Sequence, residues 1–398
     1  MGSLDWLYGA QVFGIKLGLE TSARLLSHLP VAPPATIIHV AGTNGKGSVC
    51  AFADAIARAH GFRTGLFTSP HLLRFEERIR IDGVPIPGAS LDRILNHLRD
   101  LVHDWDPHPT FFELALSAAM FWFCEQQTTC IILETGMGGR LDATNAVTPI
   151  AASVLTPVDL DHSAWLGTTL AEIAAEKAGI IRPGIPVVSS VQHPEVWRVI
   201  ERVARERAAP LRLVDLPLQL PLALAGSHQK SNAALARAAL QAAGVPLDPG
   251  ALSAAVRSVS WPGRFQLFET QPAVVVDGAH NPAAAAVLAR AWRETFPAQK
   301  ATLLFGALRD KDVPSMLTQL QPLAERIFLV PIRDTDRGLD AAALHEHAPQ
   351  ARAFADCASA LAAARLHREP VLVTGSLYLA GEALRVLNAP SEVPTQPQ

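Results

Sequence analysis

The sequence has few of the features that mark secreted and membrane-spanning proteins. It contains four cysteines in 398 residues and no CxxC pair, which is typical of a chain whose thiols stay reduced. No apolar run reaches the roughly 18 residues that a membrane span needs, and the densest candidate, at 111–123, contains Glu113. The N-terminal residues also lack the charged, apolar and small-residue parts of a signal peptide. We therefore expect a cytoplasmic protein with no membrane partner.

Charge is also modest. Charged residues make up 18% of the chain, and 34 Lys and Arg against 37 Asp and Glu give a net charge of −3. This balance gives no reason to expect a nucleic acid as a partner. Apolar residues, at 49%, are plentiful, and the length suggests two or three domains with large cores.

The stretch His39-Val-Ala-Gly-Thr-Asn-Gly-Lys-Gly-Ser48 predicts a phosphate-binding loop. An apolar, β-branched run at 35–41 predicts a buried strand before it, and the helical spacing of 48–60 follows it. Glycine leaves backbone N–H groups to face an anion, and the helix N-terminus adds partial positive charge. Lys46 would place its ammonium on the terminal phosphates. The spacing differs from the common G-x-x-x-x-G-K-[ST] pattern, so the alternative is a chance glycine-lysine turn, which the flanking strand and helix disfavour.

Strands and helices alternate along the next 150 residues. After a helical lead-in at 1–34, strands are predicted at 63–68, 130–134, 150–155 and 185–189, and helices at 91–105, 111–126, 170–178 and 194–208. A hairpin arm with an Asp82-Gly83 turn lies between the first of these strands and the first helix. Such alternation predicts a doubly wound, mostly parallel α/β sheet, whose ligands lie beyond the carboxyl ends of the strands.

The pattern is interrupted and then begins again. Residues 213–224 show no clear period, 226–243 predict an alanine-rich helix, and 259–265 predict a linker. New strands follow at 273–276, 302–305, 327–330 and 371–373. We predict an N-terminal domain over 1–260 that carries the phosphate-binding P-loop, and a smaller α/β domain over 261–398.

Several polar residues follow predicted strands, where a doubly wound sheet places its site. Ser69, Glu134 and the pair Asp161-His162 offer a hydroxyl, carboxylates and an imidazole that suit Mg²⁺ beside phosphates. The alternatives are a solvated acid for Glu134 and an ordinary loop histidine for His162. For Lys177, near a helix end, spacing alone favours a cation that stabilises the helix dipole.

A second group of polar residues belongs to the C-terminal half. Arg264 lies just after the predicted linker, and Asp277-Gly-Ala-His-Asn-Pro282 follows an apolar strand. This placement suits a ligand-facing turn. Turn chemistry is the alternative there, because Asp, Gly, Asn and Pro all favour turns.

Nine motifs in this order resemble those of the folylpolyglutamate synthase/dihydrofolate synthase family, within the Mur ligase superfamily. They are Gly42-Thr-Asn-Gly-Lys-Gly-Ser48, Ser69-Pro-His-Leu72, Glu134-Thr-Gly-Met-Gly-Gly-Arg-Leu-Asp-Ala-Thr-Asn145, Asp161-His162, Glu176-Lys-Ala-Gly179, Pro262-Gly-Arg-Phe-Gln266, Asp277-Gly-Ala-His-Asn-Pro282, Asp310-Lys-Asp312 and Thr374-Gly-Ser376. The resemblance covers nearly the whole chain. It implies ATP-dependent amide ligation, in which an acyl phosphate formed on dihydropteroate or a folate is attacked by L-glutamate.

The resemblance also implies roles for individual residues. The ATP phosphates would be held by Thr43, Asn44, Gly45, Lys46, Gly47 and Ser48, and further ATP contacts would come from Asn232, Arg264 and Asp277. Ser69 and Glu134 would hold one Mg²⁺ and His162 a second, and Lys177, which matches a lysine that the family carbamylates, would become a carboxylate-like metal ligand. His280 would lie near the transferred phosphate, so Lys46, Lys177 and His280 are the catalytic candidates.

The pterin substrate would lie against three segments. They are Ile15, Lys16 and Leu17; Phe111, Phe112, Glu113 and Leu114; and Leu141, Asp142 and Ala143. Bacterial bifunctional members usually carry Asp where this chain has Lys16, and that acid helps to select dihydropteroate. The family also implies a monomer.

Two other classes remain as alternatives. A Mur-type ligase acting on a UDP-sugar peptide shares the phosphate loop, but Leu141-Asp-Ala-Thr-Asn145 and Ser69-Pro-His-Leu72 disfavour it, as does the lack of a separate UDP-binding domain. A nucleotide-dependent switch would bind or hydrolyse ATP without needing glutamate. Dependence on glutamate therefore separates the ligases from the switch.

Overall fold

The computed structural model describes residues 2–14, 16, 18–30, 35–333 and 335–388. The chain divides into two compact units, residues 1–223 with 227–260 and residues 224–226 with 261–398. Ile15 and Leu17, which we predict at the pterin site, lie outside the described residues. No helix among the described residues has the length and apolar character needed to cross a membrane.

The first unit contains an eight-stranded sheet. Its strands are β1 (Thr36–Ala41), β2 (Thr64–Phe67), β3 (Ile79–Ile81), β4 (Val84–Pro85), β5 (Cys130–Glu134), β6 (Ala152–Leu155), β7 (Val187–Ser190) and β8 (Leu211–Val214). Their spatial order is β4-β3-β2-β5-β1-β6-β7-β8. Only the β2–β3 and β3–β4 pairs are antiparallel, so the predicted doubly wound, mostly parallel sheet is confirmed.

The helices of this unit cover the sheet in two groups. They are α1 (Ser3–Gly9), α2 (Glu20–Leu26), α3 (Lys46–Ala59), α4 (Gly88–Leu101), α5 (Phe111–Glu125), α6 (Ser163–Leu166), α7 (Leu170–Ala178), α8 (Pro194–Glu206), α9 (Ser227–Ala242) and α10 (Pro249–Ser258). Ile131 and Leu133 of β5 pack into one apolar cluster with α4 and α5. Side chains alternate along a strand, so Ile132 faces the opposite side, where α3 packs against β5 and α9.

β1 occupies a central position in this sheet. It pairs with β5 on one side and β6 on the other, with Val40 opposite Glu134 and Ala41 opposite Leu155. Five of its six residues are buried, as expected of a β-branched strand with parallel neighbours. The carboxyl ends of β1, β5 and β6 therefore meet at one edge.

The second unit is a smaller sheet with helices. Its strands are β9 (Gln266–Phe268), β10 (Val274–Val276), β11 (Ala301–Phe305), β12 (Ala324–Leu329), β13 (Arg352–Ala353) and β14 (Val371–Thr374), in the spatial order β13-β12-β11-β14-β10-β9. Its helices are α11 (Pro282–Thr295), α12 (Val313–Leu320), α13 (Ala341–His347), α14 (Cys357–Ala364) and α15 (Leu377–Asn388). All pairs are parallel except β9 with β10. A smaller C-terminal α/β unit is thus confirmed.

Some elements differ from the sequence-based expectation. The helical lead-in is two short helices, α1 and α2, with a 3-10 turn at Ala10–Phe13 after α1. β8, which overlaps the first two residues of the segment that showed no period, and the two-residue β13 were missed. β8 has no fully buried residue and β13 is wholly exposed, so neither carries the apolar run that predicts a strand. α10 was also missed, although Asp248 caps it and Pro249 begins it.

Candidate active site

The phosphate-binding loop turns from β1 into α3 at Gly45. Its φ of +87° is a left-handed conformation that glycine adopts without strain. Lys46 begins α3, and its Nζ donates to the carbonyl oxygens of Gly42 (3.1 Å) and Thr43 (3.3 Å). The first N–H groups of a helix have no intrahelical partner, and the helix dipole adds positive character there. The local geometry is that of an anion-binding turn with an ammonium folded back against it.

The loop after β6 forms hydrogen bonds with the beginning of this turn. The N–H groups of Thr43 and Asn44 donate to the Pro157 carbonyl at 2.9 and 3.2 Å. The Thr43 hydroxyl donates to the Asp159 carbonyl and accepts from the Asp159 N–H, each at 3.0 Å. These two N–H groups therefore bond to protein in this structure, and contacts of Thr43 and Asn44 with phosphate stay a prediction.

Asn232 of α9 lies against the same turn. A Cβ placed on Gly45 would come within 2.8 Å of the Asn232 Oδ1. Asn232 is buried, and its Nδ2 donates to the Gln229 Oε1 at 3.0 Å. Gly47 and Ser48 are buried in the first turn of α3. The structure thus brings Asn232 to the phosphate loop.

Glu134 is the acid closest in the sheet to this loop. It ends β5 beside Val40 of β1, and it is 4% exposed. Its Oε2 accepts a hydrogen bond of 3.1 Å from the N–H of Ser69, which follows β2. Burial excludes the alternative of a solvated strand-end acid. The structure therefore joins the two residues that we predict to hold the first Mg²⁺.

Lys177 is buried near the end of α7. Its Nζ donates to the Gly42 carbonyl at 2.9 Å, so this carbonyl accepts from two lysine ammonium groups. Burial, followed by the positive charge of Lys46, lowers the pKa of Lys177 from 10.5 to about 7, although Asp161 and Asp142 act in the opposite direction. An exposed cation at a helix end would show neither feature, so the helix-dipole alternative does not explain this side chain.

His162 lies on the loop after β6. Its φ of +54° is uncommon for a residue other than glycine, and its N–H donates to Asp161 Oδ1 at 2.9 Å. The loop thus carries Asp159 to the phosphate turn and His162 a few residues further on.

A glycine-rich loop follows Glu134 and folds around Asp142. The Asp142 Oδ2 accepts from the N–H groups of Gly136 and Met137, both at 2.9 Å. Its Oδ1 accepts from the N–H of Thr144 at 3.0 Å and from the Thr144 hydroxyl. Burial raises the pKa of Asp142 above its ordinary value, although these hydrogen bonds act to lower it. The carboxylate that we predict to contact substrate therefore organises its own loop.

The same loop touches β1 and α7. The Nε2 of His39, on β1, lies 2.8 Å from the Thr144 Oγ1. Burial, and then the charge of Arg182, lowers the pKa of His39 to about 3. At Gly139 the loop approaches α7 so closely that a Cβ would meet the carbonyl oxygens of Glu176 and Lys177 at 2.8 and 2.9 Å.

Aromatic side chains lie beside this loop, among them the exposed Tyr8 and the half-buried Phe111 and Phe112. Phe111 stacks on Tyr8 with ring centroids 5.6 Å apart, and Phe75 meets it edge-on at 6.0 Å. The Arg78 guanidinium lies 5.2 Å from the Phe111 ring centre. Phe112 packs against Gly136, where a Cβ would come within 2.6 Å of its ring. A flat, apolar ligand with polar edges suits such a surface.

Two of the predicted substrate residues have structural roles in this unit. Glu113 is buried, and its carboxylate accepts from Thr110 N–H and Oγ1 (both 2.8 Å) and from Ser22 Oγ (3.2 Å) as part of the cap of α5. Leu114 has no exposed surface and packs in the core. Contact of either residue with a substrate stays a prediction. Leu141 is half-buried and Ala143 is buried.

Lys16 is exposed and anchored to a neighbouring segment. Its Nζ donates to the His108 carbonyl at 2.7 Å and lies 5.6 Å from the centre of the Phe13 ring. The Phe13 and His108 rings stack at 4.6 Å. The structure therefore places the Lys16 ammonium beside the stacked rings of Phe13 and His108.

The second unit gathers its three predicted residues at the end of β10. Asp277 accepts from the Phe265 N–H (2.7 Å) and the Ala279 N–H (2.8 Å). A Cβ at Gly278 would come within 2.7 Å of an Arg264 guanidinium nitrogen. His280 Nδ1 lies 2.8 Å from the Gly278 carbonyl, so this nitrogen carries the proton and donates. Turn chemistry accounts for the Asp277 contacts, and Arg264 lies beside the turn.

Sequence reasoning missed several residues of the site. Asp159 and Pro157 hold the phosphate turn, and Gln192 holds their loop through the Val158 N–H (2.9 Å) and the Thr156 carbonyl (2.9 Å). Each of these residues follows a strand, and ligands of a parallel sheet lie beyond the carboxyl ends of its strands. That position in the sequence could have identified them. Tyr8 and the Phe75–Arg78 turn had no comparable signal, because only the folded chain brings them to Phe111.

The donor set suits magnesium. The described residues contain no cluster of three or more His, Cys, Asp or Glu side chains able to hold a metal ion. Mg²⁺ is usually held by one or two carboxylates, with water and phosphate oxygens completing its shell. A single buried carboxylate with the hydroxyl-bearing Ser69 beside it fits that pattern, whereas a structural zinc site would need its four ligands preassembled.

A phosphate turn, a buried carboxylate beside it and a second α/β unit are the arrangement expected of an ATP-dependent ligase. The family described as Mur ligase, glutamate ligase domain, matches residues 263–377. The dihydrofolate synthase/folylpolyglutamate synthase of Bacillus subtilis is 33% identical, in an alignment that covers 94% of this chain and 96% of that protein. The structure of E. coli FolC in complex with DHPP and ADP superposes with a TM-score of 0.88 at 33% identity, covering 98% of both chains. A bifunctional synthase of this type with Mn, AMPPNP and L-glutamate bound gives 0.86 at 32% identity, covering 97% of this chain and 98% of that one.

This chain belongs to the dihydrofolate synthase/folylpolyglutamate synthase family. The resemblance read from the nine motifs is thereby confirmed, as are the fold class and the class of enzyme. The alternative of a switch without ligase activity is set aside.

Proposed function

We propose that this chain uses ATP and Mg²⁺ to add L-glutamate to dihydropteroate and to the glutamate tail of reduced folates. The observation that carries the proposal is the shared edge of the first sheet. There the Lys46 turn, the buried Glu134 and the buried Lys177 meet, and Lys46 and Lys177 share the carbonyl of Gly42. The named relatives act on, or are bound to, these same classes of ligand.

In the proposed reaction, the γ-phosphoryl group of ATP passes to a carboxylate of the acceptor. The amine of L-glutamate then attacks the acyl phosphate, and the tetrahedral intermediate expels phosphate. Lys46 and the N-terminus of α3 hold and neutralise the phosphates, since phosphoryl transfer requires mainly positioning and charge stabilisation. Bound Mg²⁺ would polarise the phosphoryl group and neutralise its charge.

We propose two magnesium sites, the first held by Ser69 and Glu134. The second would use His162 and Lys177 after carbamylation, which converts the amine to a carboxylate-like ligand. A pKa of about 7 supplies this step with a neutral amine at physiological pH. The carbamate should add the mass of CO₂ to the intact wild-type protein in native mass spectrometry with bicarbonate, and should not add it to Lys177→Ala. Lys177→Ala should lose ligation, and short added carboxylates should restore part of it.

We propose further that residues 1–260 bind ATP and the acceptor and that 261–398 contribute Arg264, Asp277 and His280. Arg264→Ala should weaken ATP use far more than it changes the free energy of unfolding. Turnover equal to that of the wild type would contradict this role.

We also propose that the enzyme is a cytoplasmic monomer that binds no nucleic acid. Size-exclusion chromatography with light scattering would test whether it is a monomer.

A mass-spectrometric ligation assay tests the main proposal. ATP, Mg²⁺ and L-glutamate are supplied with dihydropteroate in one reaction and tetrahydrofolate in another. Glutamate-dependent product in both establishes both activities. Product in neither contradicts the proposed substrates and directs attention to the acceptors of other Mur-type ligases.

Lys16 supports a second candidate, a folylpolyglutamate synthase without the dihydropteroate activity. Its Nζ donates to the His108 carbonyl. By resemblance, bacterial bifunctional members of the family usually carry Asp at the position of Lys16. Product only with tetrahydrofolate would support this candidate. Lys16→Asp should then raise the use of dihydropteroate relative to tetrahydrofolate, while Lys16→Gln, which removes the charge without supplying an acid, serves as the matched control.

A further inference from the structure

A buried chain of hydrogen bonds joins β1 to the glycine-rich loop. It begins at His39, which has no exposed surface and pairs in the sheet with Leu133, the residue before Glu134. It runs from the His39 ring through the Thr144 hydroxyl to the Asp142 carboxylate. No step of the proposed ligation uses His39 or Thr144.

The direction of these hydrogen bonds follows from the donors available. A carboxylate of Asp142 can only accept, so the Thr144 hydroxyl donates to it. The hydroxyl has no second proton, so the Nε2 of His39 must donate to the Thr144 oxygen. The His39 Nδ1 has no hydrogen-bond partner among the described residues, which fits an unprotonated nitrogen better than a buried N–H. The ring is therefore the neutral Nε2–H tautomer.

The far end of the chain holds the backbone of the loop. With Oδ1 turned toward Thr144, the Oδ2 of Asp142 accepts from the N–H groups of Gly136 and Met137. These are the second and third residues after Glu134, and Gly136 packs on the Phe112 ring. The orientation of one carboxylate thus fixes the path of the loop between the predicted metal ligand and the aromatic surface.

We propose that His39 is a positioning residue that, through Thr144 and Asp142, holds the glycine-rich loop in the conformation that receives the acceptor substrate. The role in substrate use rests on the proposed function, whereas the role in holding the loop does not. His39 acts from the strand that leads into the phosphate turn, so the same strand supports both the nucleotide side and the acceptor side of the site.

Amide hydrogen exchange tests the structural part without any substrate. His39→Leu and Thr144→Val should each speed exchange at Gly136 and Met137 by about tenfold, the factor expected for loss of one buried hydrogen bond of roughly 1.4 kcal/mol. His39→Gln, which can place an N–H near the position of Nε2, and Thr144→Ser should keep most of the protection. Unchanged exchange in both His39→Leu and Thr144→Val would overturn the proposal.

Steady-state kinetics test the functional part. The same two variants should raise the KM for the acceptor by about tenfold and leave the KM for ATP unchanged. The double variant should be no worse than the worse single variant, because both changes break one chain. Losses that multiply in the double variant, or an equal rise in the KM for ATP, would contradict the proposal.

His60→Leu is the matched control. His60 also makes two hydrogen bonds through its ring, to the Ile56 carbonyl (2.7 Å) and from the Asp248 N–H (2.8 Å), but it lies at the end of α3. It should change neither the exchange of Gly136 nor the KM for the acceptor. If the wild type ligates no folate while exchange responds as expected, the proposed function fails and the positioning role of His39 stands.

Discussion

Replacement of Lys177 by methionine should stabilise the ligand-free protein at low pH. The pKa of Lys177 falls from 10.5 in the unfolded chain to about 7 in the native state. At about 1.4 kcal/mol per pH unit, keeping this amine charged costs the native state about 5 kcal/mol below pH 7. Methionine also loses the hydrogen bond that the neutral amine donates to the Gly42 carbonyl, worth about 1 kcal/mol. The expected net gain is about 4 kcal/mol at pH 6.

The pH dependence gives the prediction its sign. Below pH 7 the lysine is protonated in both states, and the cost is present in full. Between pH 7 and 10.5 the unfolded chain binds more protons than the native protein, so wild-type stability rises with pH relative to the variant. The advantage of Lys177→Met should therefore shrink through this window and end as a small deficit near pH 10.

Urea unfolding at pH 6, 8 and 10, in buffer free of CO₂, measures this difference. Lys230→Met, at an exposed position of α9, is the matched control and should show little change at any of these pH values. A difference that does not vary with pH, or a variant less stable than the wild type at pH 6, would refute the reasoning.

Three further outcomes are expected. Gly139→Ala should destabilise the first unit by about 2 kcal/mol, because its Cβ meets two backbone carbonyls at 2.8 and 2.9 Å, while Gly88→Ala, with nothing within 4 Å, should cost nothing in the same urea assay. Since the native pKa of His39 is about 3, the unfolded chain binds more protons below pH 6.5, and stability should fall by up to about 1.4 kcal/mol per pH unit. His39→Gln should reduce this loss of stability at acidic pH, and an unchanged dependence of the free energy of unfolding on pH would contradict the prediction. Thr110→Ala should cost about 1 kcal/mol through loss of the helix cap, with Thr110→Ser restoring it; equal melting of all three proteins would argue against this cap.

The sequence was informative where local chemistry decides the structure. β5 and α7 begin and end at the predicted residues, because β5 is a compact apolar run and the Thr169 hydroxyl caps α7 by accepting from the Glu172 N–H. The phosphate turn is equally local, since strand, glycine and helix lie within a few residues of one another. The nine motifs that identified the family are likewise short, contiguous stretches of the sequence.

The remaining features depend on contacts between distant parts of the chain. Thr43 and Asp159 are 116 residues apart in sequence, and His39 and Thr144 are 105 apart. No local pattern encodes which strand lies beside which, so neither pair could be read from spacing. Glu113 caps α5 through its carboxylate, a role that its motif does not predict, and its contact with a substrate stays a prediction.

The close approach of Gly139 and α7 limits how the site can be redesigned. A Cβ at Gly139 meets backbone carbonyls, and a Cβ at nearby Gly179 meets the Arg140 Cβ and Cα at 2.3 and 2.5 Å. Where backbone lies on backbone there is no side chain to trim, so a second substitution cannot relieve the clash. Libraries aimed at new acceptor molecules should leave both glycines unchanged and vary half-buried positions such as Leu141 and Phe111, where neighbouring side chains can repack.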